Sequence, residues 1–177
     1  MYYVIHIYGR QEKETIEFID KYVPKNIALD IFSPKRIINK KIKGKWVSTT
    51  ERCFPGYVFV ETNDPDGLYL SLKSVPRFTR LLGRSREGDT YITLTEKECR
   101  IIDALANKES DRTVDVSDVS IKEGKKIKVI SGPLQGFVGN IVGVDLHKRT
   151  VTILIDMCGR KCEVKVGINI VIDAPEE

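Results

Sequence analysis

The chain has 177 residues, of which 41% are hydrophobic and 31% charged, with a net charge of +4 at neutral pH. This composition predicts a soluble globular protein rich enough in apolar residues to bury real cores. It has no apolar run near the roughly 20 residues of a membrane-spanning helix and no signal-peptide pattern, so we expect a cytoplasmic protein with no membrane partner. Residues 1–60 and 122–165 each carry a net charge of +5 around an acidic middle. These two basic regions are candidates for contact with polyanions.

The first 106 residues alternate between strand and helix patterns. β-Branched and aromatic residues predict a strand over 2–8, and apolar residues at helical spacing predict a helix over 11–22 that Pro24 ends. Two strands, at 28–38 and 46–51, predict a long hairpin with a basic tip. The other predicted elements are strands at 56–62, 78–82 and 91–93, a helix at 65–72 capped by Asp64, and a helix at 95–106 opened by a Thr95–Glu98 capping box. This order predicts an α+β fold, with helices over a mostly antiparallel sheet.

The sequence pattern after residue 106 predicts a second, smaller domain. Residues 107–120 are polar and aperiodic, which is typical of a flexible linker between domains at 1–106 and 121–174. Beyond the linker, short alternating segments predict a five-stranded β-barrel. Its expected strands are 125–131, 136–145, 150–156, 161–166 and 168–172.

Two motifs carry the clearest functional signal. The segment Arg52-Cys53-Phe54-Pro55-Gly56-Tyr57-Val58-Phe59-Val60 is an aromatic and apolar strand entered through a Pro-Gly turn. Strand alternation predicts that Tyr57 and Phe59 lie on one face and Val58 and Val60 on the other. In the segment 129–142, a strand is followed by Gly132-Pro133 and by two glycines three residues apart, Gly136 and Gly139. Such punctuation is typical of a small, sharply bent barrel.

Together these motifs resemble the NusG family of transcription elongation factors. The Phe-Pro-Gly-Tyr-Val segment resembles part of its NGN domain, and Ser-Gly-Pro with the later glycines resembles its KOW motif. The resemblance implies a sandwich-like NGN domain that docks on the clamp region of the largest subunit of RNA polymerase through an apolar pocket. Carried over by position, that pocket uses Tyr2, Tyr8, Phe54, Pro55, Gly56 and Tyr57. Alternatively, these aromatics are ordinary core residues.

The basic residues are candidates for contact with nucleic acid. Those singled out are Lys40, Lys41 and Lys43 in the hairpin, Arg77 and Arg80, and Lys126, His147, Lys148, Arg149, Arg160 and Lys161 in the barrel. Each phosphate contact would add salt-sensitive affinity, and Trp46 could stack on an unpaired base. A solvated hairpin tip and scattered solubilising charge are the alternatives.

Several functions within and outside this family stay open. In the stretch Val75–Gly83, Arg77 replaces a family glycine and Arg80 is an added cation, which favours a specialised paralog most like the LoaP antiterminators. That branch implies recognition of an RNA hairpin in the nascent leader, with upstream or non-template DNA as a further contact.

A general NusG would instead bind Rho or a ribosomal protein. An RfaH-type factor is disfavoured by the β-branched, glycine-rich second domain, and a ribosomal or RNA-modifying KOW protein is disfavoured by the first domain.

The sequence offers little for catalysis or metal binding. The four cysteines fall at no secretory disulfide spacing. Cys158 and Cys162 face each other across a predicted turn, but the second nearby pair of ligands that zinc would need is missing, and no catalytic triad or paired carboxylates stand out. We therefore expect a monomeric, non-enzymatic protein without a cofactor or a metal.

Overall fold

The computed structural model describes residues 1–76, 79–81 and 93–172. The strands in this part are β1 (Tyr2–Ile7), β2 (Asp30–Phe32), β3 (Lys35–Ile42), β4 (Lys45–Arg52), β5 (Tyr57–Glu61), β6 (Thr79–Leu81), β7 (Thr113–Val114), β8 (Ser117–Lys122), β9 (Lys126–Ser131), β10 (Ile141–Asp145), β11 (Thr150–Met157) and β12 (Arg160–Ile170). The α-helices are α1 (Glu12–Tyr22), α2 (Pro65–Leu72) and α3 (Glu96–Leu105). None of these helices is long and apolar enough to cross a bilayer.

The chain divides into two compact units. The first comprises Met1–Ser33, Phe54–Ile101 and Met157–Gly159, and the second comprises Pro34–Cys53, Ile102–Asp156 and the residues from Arg160 onward. The β3–β4 hairpin therefore belongs to the same unit as the C-terminal strands. The sequence pattern had instead placed this hairpin with the N-terminal domain.

The first unit is built on a four-stranded sheet in the order β2-β5-β1-β6. Strand β1 pairs antiparallel with β5, so Ile5 lies opposite Val58 and His6 opposite Tyr57. Because side chains alternate across a strand, Val58 and Val60 share one face and Tyr57 and Phe59 the other, as predicted. The valine face forms a core with residues of α1 and α2, among them Ile5, Ile7, Ile19, Val58, Val60, Leu68 and Leu72.

Local sequence signals fix the ends of the helices as predicted. The Asp64 carboxylate accepts a hydrogen bond of 2.8 Å from the Gly67 N–H and so caps α2, while Pro65 occupies its first turn. At the start of α3, the Thr95 N–H donates to Glu98 at 2.7 Å, and the Glu98 N–H donates to the Thr95 hydroxyl at 3.2 Å. This reciprocal pair is a capping box.

The second unit holds two sheets. One has five strands in the order β10-β11-β12-β8-β9, with β12 and β8 parallel, and the other has three strands in the order β4-β3-β7. Strands β3 and β4 pair along their whole lengths from Lys35↔Arg52 to Ile42↔Lys45. Lys43 and Gly44 both have positive φ, so the hairpin closes with the two-residue turn that matches the twist of its strands.

Four predicted elements differ from the structure. The predicted strand 28–38 is interrupted at Ser33-Pro34, so β2 and β3 lie in different sheets. The segment 107–120, predicted as a linker, contains β7 and the first four residues of β8. Residues 136–140, predicted as the start of a strand, lie in 3-10 turns, and the last two predicted strands are one continuous β12. Local sequence patterns predict these strand boundaries poorly, because the boundaries depend on pairing with strands that are distant in the sequence.

The hairpin is attached to β12 by polar contacts. The Arg36 guanidinium donates to the Lys165 carbonyl at 3.2 Å, and the Asn39 amide donates to the Asn169 side chain at 2.8 Å. Asn169 in turn donates to Asp118 at 3.3 Å. These contacts set the hairpin beside the turn that joins β10 to β11.

Candidate functional site

The Pro55-Gly56 turn is held by a buried carboxylate. Gly56 has φ of +86°, and its N–H donates to Glu12 Oε1 at 2.7 Å, while its carbonyl accepts from the Ile7 N–H at 2.9 Å. Glu12 is buried, although its position in α1 predicted a surface residue. No sequence signal identifies it, because its partner lies 44 residues away.

Two tyrosines beside this turn are exposed. Tyr8 is 79% exposed just after β1, and Tyr57 is 37% exposed at the start of β5, where its ring lies 5.4 Å from that of His6. Pro55 is exposed and Gly56 half-buried in the turn between them. These residues form an aromatic patch, defined here as Tyr8, Pro55 and Tyr57.

Two other aromatics predicted for this pocket take part in packing. Tyr2 is buried, with its ring centroid 5.2 Å from that of Phe32 in an edge-on contact, so it packs in the sheet rather than lying at the surface. Phe54 is half-buried, edge-on to Phe59 at 5.6 Å, and Phe59 itself is fully buried. Phe54 therefore supports the turn as well as bordering the aromatic patch.

The second unit brings two of the predicted basic segments together. A groove of about 470 Å³ lies between the β3–β4 hairpin and the β10–β11 turn. Its lining comprises Arg36, Ile38, Asn39, Lys40, Lys41, Trp46, Glu51, His147, Lys148, Thr150 and Lys165. Five cationic side chains and one carboxylate thus surround a single cavity, which we call the basic groove.

Glu51 organises the cations on the hairpin side of the basic groove. Its carboxylate accepts hydrogen bonds from Lys40 and from Arg36, the latter at 3.0 Å. These hydrogen bonds, with that of Lys40 the stronger influence, lower the pKa of Glu51. Glu51 therefore stays ionised and holds both cations toward the cavity.

Trp46 and Arg149 join the two sides of the basic groove. The Arg149 guanidinium lies over the Trp46 ring, 3.8 Å from its centroid, which is a close cation–π contact. Arg149 has φ of +51° in a turn that Asp145 closes by accepting from the Lys148 N–H at 2.9 Å. That backbone hydrogen bond lowers the pKa of Asp145.

The other predicted basic residues do not line the basic groove. Lys43 is at the hairpin tip, Lys126 begins β9, and Arg160 and Lys161 begin β12, where Lys161 pairs with Asp156 at 2.7 Å. Arg77 lies outside the described residues, and so does the side chain of Arg80 in β6. Arg36 and Lys165 also line the basic groove, and no local sequence signal shows that the hairpin cations meet Lys165 and the cations of the β10–β11 turn.

No metal centre is evident in the ranges that the structure describes. Within them, no group of three or more His, Cys, Asp or Glu side chains is placed to hold an ion. Cys158 and Cys162 are half-buried in the region of the β11–β12 turn.

Comparison with known proteins decides the family. A family model described as "Transcription termination factor nusG" matches residues 1–103, which is more than half of the chain. The chain belongs to the NusG family. A model of the KOW motif matches residues 123–156, so the expected pair of NGN and KOW domains is present.

Curated relatives share this NusG organisation over nearly their whole length. The transcription termination/antitermination proteins NusG of Staphylococcus aureus strains Newman and COL are each 29% identical to this chain over 173 residues. The alignments cover 95% of this chain and 92% of each relative. As a member of this family, the chain is a transcription factor of the NusG termination/antitermination type, which implies RNA polymerase as its partner.

The KOW match contains a glycine that the fold requires. Gly132 has φ of +94°, and a Cβ there would lie 2.7 Å from the Ser117 Cα. The Ser117 hydroxyl also accepts from the Leu134 N–H at 3.0 Å, so β8 is fastened to the Gly132-Pro133 turn. The turn role predicted for this glycine agrees with its geometry.

Proposed function

We propose that this protein is a processive antitermination factor that docks on RNA polymerase, suppresses pausing and termination, and binds a hairpin in the nascent leader RNA. It acts in the cytoplasm as a monomer, without an enzymatic activity or a cofactor. The observation that carries the proposal is the joint occurrence of a NusG family match and an exposed aromatic patch on the first unit.

The aromatic patch is the proposed contact with the polymerase clamp region. Exposed tyrosines near a rigid turn suit a protein interface because they bury a large area at a small cost in side-chain entropy. The Glu12 hydrogen bond to Gly56 keeps that turn in one conformation. Phe54 and Gly56 are supporting residues in this proposal.

The proposed domain limits are an NGN domain at 1–106 and a KOW barrel at 121–174. The five-stranded sheet of the second unit supports the barrel assignment. We propose that cations of the KOW barrel, with those of the hairpin, supply the RNA affinity and place the protein nearest to the LoaP branch. Arg77 and Arg80, and upstream or non-template DNA, are further proposed contacts.

A general NusG-type elongation factor is the second candidate. It is favoured by the relatives, which are named termination/antitermination proteins and align over 95% of the chain. In this role the KOW domain would couple RNA polymerase to Rho or to a ribosomal protein instead of reading an RNA hairpin.

Transcription in vitro separates the two candidates. The template carries a leader that encodes an RNA hairpin, followed by an intrinsic terminator, and a matched template carries a scrambled leader. We expect the full chain to increase readthrough only with the hairpin leader. An equal effect on both templates would favour the general factor, and no binding to purified RNA polymerase would refute both.

A further inference from the structure

We propose that the basic groove is a composite RNA site that holds unpaired nucleotides from the loop of an RNA hairpin. The β3–β4 hairpin and the β10–β11 turn each supply one wall. This inference rests on the proposed function, since it assigns the RNA-binding role to a particular place.

The two walls are positioned before any ligand arrives. Arg36 and Asn39 on β3 bond to β12, and the side chains of Asn169, Asp118 and Ser131 continue the network across the five-stranded sheet. A Cβ at residue 167 of β12 would lie 2.3 Å from the Ile37 carbonyl oxygen of β3, so the two strands are closely packed at this point. A preformed site avoids the cost of ordering its parts on binding.

The charge of the basic groove suits a phosphate chain. Arg36 and Lys40 are engaged by Glu51, whereas Lys41 and Lys165 have no ion pair with any described residue. Lys148 is 3.8 Å from Asp145 and largely exposed. Three ammonium groups, one each on the hairpin, the β10–β11 turn and β12, are therefore available to neutralise phosphates and release counterions.

The Trp46 and Arg149 pair supplies a surface for a base. Trp46 stays 41% exposed although Arg149 covers part of its ring, and the Arg149 guanidinium makes no ion pair with a described residue. Protein recognition of RNA commonly stacks unpaired bases on aromatic rings or guanidinium planes. A single Trp–Arg pair next to phosphate-binding lysines provides both contacts that an unpaired nucleotide needs.

The size of the basic groove selects a single strand. A volume of about 470 Å³ lies within the range of sites for small ligands, about 300–1,000 Å³. It is large enough for a nucleotide-sized segment and too small to enclose a duplex. Loop nucleotides are thus the part of a hairpin that fits.

The protein carries its own reporter for this site, because Trp46 is its one tryptophan. The experiment titrates the full chain with a short RNA hairpin that has a purine-rich loop and follows Trp46 fluorescence. A single-stranded DNA of the same sequence and a fully paired DNA duplex are separate arms. Affinities are measured independently by anisotropy of labelled RNA at several salt concentrations.

We expect the RNA hairpin to quench Trp46 and the DNA duplex to leave it unchanged. Combined Lys41→Gln and Lys165→Gln should lower RNA affinity about tenfold and make the salt dependence shallower by about two phosphate contacts. Arg149→Lys keeps the charge, so it should lower affinity about tenfold without changing the salt dependence. Combined Lys13→Gln and Lys21→Gln on α1 removes the same two charges and should bind RNA as the unaltered chain does.

The outcomes separate failure of the site from failure of the proposed function. RNA binding at full affinity by the groove variants, without quenching of Trp46, would overturn the composite site and leave RNA recognition to another surface. Equal or tighter binding of either DNA would overturn the choice of RNA as occupant. Absence of RNA binding altogether would refute the antitermination proposal as well as the site.

Discussion

The carbonyl oxygen of Ile37 occupies the space beside the Cα of Gly167 so closely that a Cβ at residue 167 would lie 2.3 Å from it. Backbone of β3 and backbone of β12 thus meet where only a glycine fits. This contact lets the hairpin, which supplies one wall of the basic groove, lie directly against β12.

Gly167→Ala should destabilise the protein, because the added methyl group forces β3 away from β12. Overpacking of this kind typically costs about 1–3 kcal/mol, measurable as a lower midpoint in urea denaturation. Gly136→Ala is the matched control, since a Cβ there meets nothing within 4 Å. Equal midpoints for both variants would show that the close approach does not contribute to stability.

Tyr8→Ala should weaken binding to RNA polymerase while leaving the fold intact, because Tyr8 is 79% exposed. Loss of an interface aromatic commonly costs about 2 kcal/mol or more, or roughly thirtyfold in Kd. Binding to purified polymerase and circular dichroism measure the two effects. Tyr22→Ala removes an exposed tyrosine of α1 and should bind normally; an equal loss there would argue against the aromatic patch.

Phe54→Ala should lower both polymerase binding and stability, unlike Tyr8→Ala. The centroid of its ring lies 5.6 Å from that of the buried Phe59 in an edge-on contact, so removing the Phe54 ring leaves a gap beside the core. Thermal unfolding of the two variants in parallel distinguishes them. An unchanged Tm for Phe54→Ala would mean that the edge-on contact adds little to stability.

Acid should weaken the ion pairs that Glu51 makes with Arg36 and Lys40. The pKa of Glu51 is lower in the folded chain than its ordinary value of 4.5, so its contribution to stability is present above that pH and is lost as the pH falls through the folded pKa. Glu51→Gln should therefore flatten the acid limb of a plot of urea midpoint against pH. A limb of the same steepness in the variant would place the acid sensitivity elsewhere.

Cys53 should resist alkylation in the native protein at pH 8. Burial raises the pKa of its thiol to about 12, despite the opposing effect of Arg36 and Arg52, so almost no thiolate is present. Iodoacetamide labelling followed by peptide mass mapping should detect modified Cys99 well before modified Cys53. In urea the difference should disappear, and equal rates in the native state would contradict the burial argument.

The features of the fold that could be predicted from the sequence are those that depend on residues close together in the chain. The caps at Asp64 and Thr95, the end of α1 before Pro24 and the two faces of β5 all follow from neighbouring residues, and the structure confirms them. The burial of Tyr2 and Glu12 was missed because it depends on partners at positions 32 and 56. The basic groove was only half predicted, since both walls were recognised as cationic but nothing local shows that they meet.

The attachment of the hairpin to β12 also has a consequence for synthesis on the ribosome. Two of its hydrogen bonds join residues that are separated in the sequence by 129 and 130 positions. At about 5–20 residues per second, roughly 6–26 s separate the translation of β3 from that of its partners in β12. Throughout that interval the side of the nascent hairpin that later contacts β12 is open to other chains. Because charged side chains on exposed strands discourage pairing with other chains, we expect the lysines of the basic groove also to limit aggregation of the unfinished chain.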